Sequence, residues 1–165
     1  MAQYHVKALT ECDRVEAIVL CDIVEEKERQ LASKHSIRHV FHDHRDLLVL
    51  QEAEAVSMLT YKQALRGLTV NALRAGKHVL VADPMAATLD DAVAMTRAAD
   101  ERGKILMVGV VTRFGPVTLA AKQIVDPGAI GHIYYAEAAA CRRGCEPVES
   151  SGHRATRGYR TVDAT

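Results

Sequence analysis

Short apolar runs along the chain alternate with stretches of helical period, the pattern of repeated strand-and-helix units and so of a parallel sheet covered on both faces. The first apolar run, residues 15–22, reads Val-Glu-Ala-Ile-Val-Leu-Cys-Asp, and a helix-like stretch over residues 3–12 precedes it, so the chain opens on a helix. A helical segment at 25–35 follows, then a short strand at 39–42, a turn of helix at 45–50 and a buried strand at 55–61. Residues 63–74 repeat at helical spacing and stop before Gly76, a residue type that takes the left-handed conformation ending many helices. Strands at 77–82 and 104–110 flank a helix whose start, Thr88-Leu89-Asp90-Asp91, resembles a capping box and whose end at Glu101 precedes Gly103. Pro116 suits the first turn of a further helix closing at Asp126-Pro127-Gly128, and residues 133–140 are expected to form a strand that begins something new. Beyond Cys145 the chain turns polar and arginine-rich, and 148–165 is expected to be a disordered tail.

Composition narrows the class. With 165 residues, 48% of them hydrophobic and 25% charged, the chain can bury one sizeable core. Lysine plus arginine equals aspartate plus glutamate at 21 each, which removes the positive footprint of a general nucleic-acid or membrane-surface binder and leaves a small molecule or a protein as the expected partner. The cysteines, Cys12, Cys21, Cys141 and Cys145, include no Cys-x-x-Cys pair, so they read as reduced thiols of a cytoplasmic protein. No basic start leads into an apolar stretch, and no run approaches the length of a membrane span. Aromatic residues are only 4% and tryptophan is absent, which suits parallel strands packed closely under helices.

Asp22 carries the most chemical information. An acidic side chain at the carboxyl end of the second strand of a strand-helix-strand unit can accept hydrogen bonds from both ribose hydroxyls of an adenosine, although a strand may also simply end in a polar residue. The glycine-rich phosphate fingerprint should end roughly 20 residues earlier, which puts its last position near Ala2.

From residue 3 to residue 22, with His5-Val6-Lys7-Ala8-Leu9, the chain resembles the stretch that follows the glycine fingerprint in the Gfo/Idh/MocA family of NAD(P)-dependent oxidoreductases, and Ala2 falls on the third small residue. Further segments agree in order and spacing: 37–48, 60–76, Gly76-Lys77-His78-Val79-Leu80 with Pro84-Met85-Ala86, 103–109, and Arg113-Phe114 with Pro116. Gly128-Ala129-Ile130-Gly131-His132-Ile133 resembles the entry to the family's second domain, so the likeness covers residues 3–147. The resemblance implies an α/β, Rossmann-like, doubly wound and mostly parallel sheet over 1–130 that lacks its first strand, and only the start, at 131–147, of a second α+β substrate domain. It implies hydride transfer between NAD(P) and a sugar, polyol or related carbohydrate derivative. Cofactor contacts are expected from Ala2, Asp22, Ile23, Thr60, Lys62, Asp83, Pro84 and Arg113.

Departures from the family pattern temper the expected activity. The family's first strand and first two glycines would precede Met1, so the loop that brings backbone amides to the pyrophosphate is expected to be missing and binding to be weakened. Where the family has glutamate-lysine-proline, its lysine implicated in proton transfer and nicotinamide placement, this chain reads Ala82-Asp83-Pro84. An aspartate cannot stabilise a developing alkoxide, so no catalytic residue is expected intact. Thr60-Tyr61-Lys62 stands where the family often has threonine-proline-asparagine, followed by a histidine that aligns with Leu65. Ile23 offers nothing to a 2′-phosphate, which favours NAD over NADP.

His35, His39, His42 and His44 with Asp43 invite a metal reading, but the resemblance puts them on a peripheral strand and an exposed turn, and no metal is assigned. Arg142 and Arg143 suit a solvated pair, and Cys141 and Cys145 lack an evident base. Three readings stay open: an oxidoreductase that borrows missing parts, a non-enzymatic interaction or regulatory protein on a degenerate scaffold, and the product of a truncated gene. Self-association or a partner chain is expected in each.

Overall fold

The computed structural model describes residues 2–137. The chain divides into two compact units, Met1–Val111 and Thr112–Thr165. The first unit runs α1 (Ala2–Thr10), β1 (Val19–Cys21), α2 (Glu25–His35), β2 (His39–Phe41), α3 (His44–Leu48), β3 (Ala55–Met58), α4 (Lys62–Arg74), β4 (His78–Ala82), α5 (Leu89–Arg102) and β5 (Leu106–Gly109). This alternation is Rossmann-like α/β, as the periodicity predicts.

Local signals account for the helices. Along α4 the buried positions Leu65, Thr69, Ala72 and Leu73 recur at helical spacing and form one stripe, and Met95, Ala98 and Ala99 do the same along α5. The Thr88 hydroxyl accepts the Asp91 N–H at 3.2 Å and so caps α5. At the other end Gly103 takes φ 59°, the left-handed conformation that returns its N–H to the helix's last carbonyls. Gly76, at φ 82°, turns the chain from α4 into β4.

All strand pairs are parallel. β3, β4 and β5 form one sheet with β4 central, in the register Val56↔Val79↔Leu106 and Met58↔Val81↔Val108. Val79 and Val81 lie on the β4 face covered by α4 and α5, and with Met58, Leu65, Leu73 and Met95 they make the core. Burying each such side chain stabilises the unit by roughly 2 kcal/mol. β1 and β2 form a separate two-stranded sheet, Val19↔His39 to Cys21↔Phe41. Helix α1 packs on α2 and also reaches β3, where His5 Nδ1 is 3.1 Å from Ser57 Oγ. Among the described residues β1 and β3 each have one strand neighbour.

The strand expectations shorten: 39–42 becomes His39–Phe41, 77–82 His78–Ala82 and 104–110 Leu106–Gly109, and three others change further. The run at 15–22 yields only Val19–Cys21, because β2 offers three residues to pair with. β3 stops at Met58 rather than continuing to 61. In the second unit residues 133–137 form no strand, since no described strand lies beside them to complete a ladder; 138–140 lie outside the described residues. The same holds for Cys141, Arg142, Arg143, Cys145 and the tail at 148–165. The short 3-10 turn Val111–Phe114 begins on the last residue of the first unit; the second unit, taken by itself, contains α6 (Pro116–Val125), which opens on Pro116 and is followed by Asp126, ion-paired with Lys122 at 2.8 Å one turn back.

Candidate functional site

Parallel strands put their carboxyl ends on one edge of a sheet, and the polar residues of interest follow those ends. Asp22 leaves β1 with its side chain exposed, and its Oδ1 accepts the Val24 N–H at 2.9 Å, which folds the turn into α2. Ile23, next in the turn, is 91% exposed and carries no polar group for a phosphate. Thr60 lies exposed between β3 and α4, and Lys62 is the first residue of α4. Asp83 and Pro84, joined by a cis peptide, follow β4 and are exposed. Because Met58 pairs with Val81, the β3 and β4 ends are neighbours, so Thr60, Lys62, Asp83 and Pro84 share one edge. Ala2 is the exposed first residue of α1. Arg113 lies on the 3-10 turn, within the second unit.

An exposed carboxylate thus stands at the carboxyl end of β1, and the first glycine of the sequence is Gly67.

Charge is concentrated near Asp22. The Cys21 thiol is pushed up to about 11, first by burial of its sulfur and then by the carboxylates of Glu28, Asp43, Asp22 and Asp46. Glu28 is only 2% exposed, and its Oε1 accepts the Asp22 N–H at 3.2 Å. Sequence reasoning misses Glu28 because it sits in the run Glu25-Glu26-Lys27-Glu28-Arg29, which reads as a solvated helix face. Its position three residues after Glu25 and four before Ala32, the other buried residue of α2, is the signal that could have found it. Lys77 is the second buried charge, 6% exposed, with Nζ donating to the Leu50 carbonyl at 2.5 Å. The histidines separate: His42 faces Glu28, with Nδ1 2.9 Å from Oε2, whereas His44 contacts Asp43 at 3.2 Å.

Comparison with known proteins agrees with this geometry. Residues 1–110 match the Gfo/Idh/MocA oxidoreductase family, described as having an NAD-binding Rossmann fold. The chain is 31% identical over 127 residues to the D-apiose dehydrogenase of Paraburkholderia graminis, covering 77% of this chain and 34% of that protein. It is 26% identical over 154 residues to the NAD(+)-dependent scyllo-inositol 2-dehydrogenase of Bacillus subtilis, covering 93% of this chain and 45% of that protein. The fold superposes with a TM-score of 0.75 on an Agrobacterium radiobacter oxidoreductase solved with NAD+, L-tartaric acid and magnesium, at 24% identity over 79% of this chain and 38% of that one. The chain thus spans between a third and a half of the length of these relatives. With residues 1–110 matched by the family model and a strand-helix alternation of parallel strands, the chain belongs to the Gfo/Idh/MocA oxidoreductase family.

Proposed function

We propose that this chain is the cofactor side of an NAD-linked oxidoreductase acting on a sugar, polyol or related carbohydrate derivative, and that Asp22 accepts hydrogen bonds from the adenosine ribose hydroxyls. The observation that carries the reading is the exposed Asp22 carboxylate at the carboxyl end of β1, in a chain of this family. The dinucleotide supplies the hydride acceptor or donor; Asp22 and Ile23 hold its adenosine end, with Ala2, Thr60, Lys62 and Pro84 as further contacts. NAD is preferred over NADP because the Asp22 carboxylate repels a 2′-phosphate and Ile23 offers it no donor. Relatives named for apiose and inositol support the carbohydrate class. The free thiols of Cys12 and Cys21 fit a cytoplasmic setting.

Turnover is low, since Asp83 stands in the lysine position. Asp83 also favours a second reading, a non-enzymatic interaction or regulatory protein on the same scaffold. Titration calorimetry separates the claims. NAD binding that Asp22→Ala abolishes supports the assignment, whereas binding indifferent to Asp22→Ala contradicts it. Turnover decides between the readings: in a longer form carrying the upstream loop and a substrate domain, Asp83→Lys should raise kcat at least tenfold if the lysine role holds. Efficient polyol oxidation with Asp83 unchanged would refute that role.

A further inference from the structure

Asp22 and His42 are the first residues beyond the paired ends of β1 and β2, because the last register pair is Cys21↔Phe41. Beneath them lies Glu28, which reaches back from the first turn of α2. Its side chain has no exposed surface. Oε1 accepts the Asp22 N–H at 3.2 Å, a donor that also faces the Phe41 carbonyl at 3.3 Å. Oε2 is buried and accepts no hydrogen bond; the His42 ring nitrogen lies 2.9 Å away on a side chain 59% exposed.

An alanine or a leucine would serve a purely structural position here better than a carboxylate, because burying a charge is costly unless it is compensated. The compensation is the Asp22 amide, so the group is tied to the residue that the site turns on. Two carboxylates consequently stand one behind the other at the end of β1, Asp22 outside and Glu28 inside. The Cys21 thiol senses the same field, since Glu28 is the foremost of the carboxylates acting on it.

We propose that Glu28 is a positioning and specificity residue of the nucleotide site: it holds the Asp22 amide from behind and sets a buried negative charge beneath the ribose, so that the site takes an adenine dinucleotide with a free 2′-hydroxyl and turns away one bearing a 2′-phosphate. This rests on the reading of Asp22 as the ribose residue. Asp22 contributes hydrogen-bond acceptance and repulsion at contact range. Glu28 contributes the backbone position of Asp22 and a second repulsion that persists when Asp22 is neutralised.

The test uses the isotope-labelled 165-residue chain, titrated with NAD and with NADP to millimolar concentration while the amide signals of Asp22, Ile23 and Val24 are followed. Glu28→Gln keeps an acceptor for the Asp22 N–H and removes the charge, so NAD affinity should stay within about twofold while the preference for NAD over NADP falls roughly fivefold. Glu28→Ala should weaken both nucleotides. The preference of the unaltered chain should narrow as salt is raised, which checks the charge effect even if a variant fails to fold. An unchanged NAD-to-NADP ratio in Glu28→Gln, or a ratio indifferent to salt, overturns the role of Glu28 while leaving Asp22 standing. Indifference of NAD binding to Asp22→Ala, or no amide shift with either nucleotide, overturns the ribose assignment and this inference with it.

Discussion

His5 Nδ1 and Ser57 Oγ lie 3.1 Å apart and tie the opening helix to a strand 52 positions away. The contact matters because α1 packs on α2, beside the two-stranded sheet, while Ser57 belongs to the three-stranded one. Loss of this bond by His5→Ala or Ser57→Ala should lower stability by about 1 kcal/mol, and the double variant should lose little more than either single one. Urea unfolding of all four proteins measures the coupling; strictly additive losses would show that the two side chains act independently.

The outer edges of β1 and β3 predict self-association. Each strand has one neighbour among the described residues, and an unpaired ladder edge carrying Val19, Leu20 and Val56 invites another strand. Light scattering on the 165-residue chain should show an oligomer, with fast amide exchange along 18–20 and 56–59 when it is diluted. A monodisperse monomer strongly protected along both segments would remove this expectation.

Lys77 should prove structural. Its buried amine satisfies the Leu50 carbonyl just beyond α3, so Lys77→Met keeps the apolar stem but leaves that acceptor bare. A loss of roughly 2 kcal/mol in urea unfolding is expected, with the same slope. No loss would mean that water or a rearranged turn replaces the amine.

Cys21 should be a sluggish thiol in the native protein. Its value is raised from 9.0 to about 11, so the folded form holds the proton more tightly than the unfolded one. The stability this contributes is present below pH 9 and is lost as pH climbs through about 11. At pH 8 alkylation of Cys21 should be roughly tenfold slower in the native chain than in denaturant, after allowance for the greater nucleophilicity of a more basic thiolate. Glu28→Gln should speed it. Equal native and denatured rates would show that neither burial nor the surrounding carboxylates acts on the sulfur.

Much of the fold follows from near neighbours in sequence, and those parts were legible. The helical stripe Leu65, Thr69, Ala72 and Leu73, the Thr88 cap, the left-handed Gly103 and the acidic end of β1 each depend on residues within a few positions, where side-chain chemistry and backbone geometry suffice. The resemblance to the family, read over 3–147, was legible too, and the family model matches 1–110. Tertiary structure alone decided what depends on a partner far along the chain. The strand run at 15–22 shrank to Val19–Cys21 because a ladder is only as long as its shorter strand, and residues 133–137 stayed unpaired because a strand needs a neighbour to satisfy its amides. Glu28 and Lys77 look like surface charges in one dimension. They are buried because Asp22 and Leu50, 6 and 27 positions away, bring a donor and an acceptor to them, and a charge can leave water only where such a partner waits.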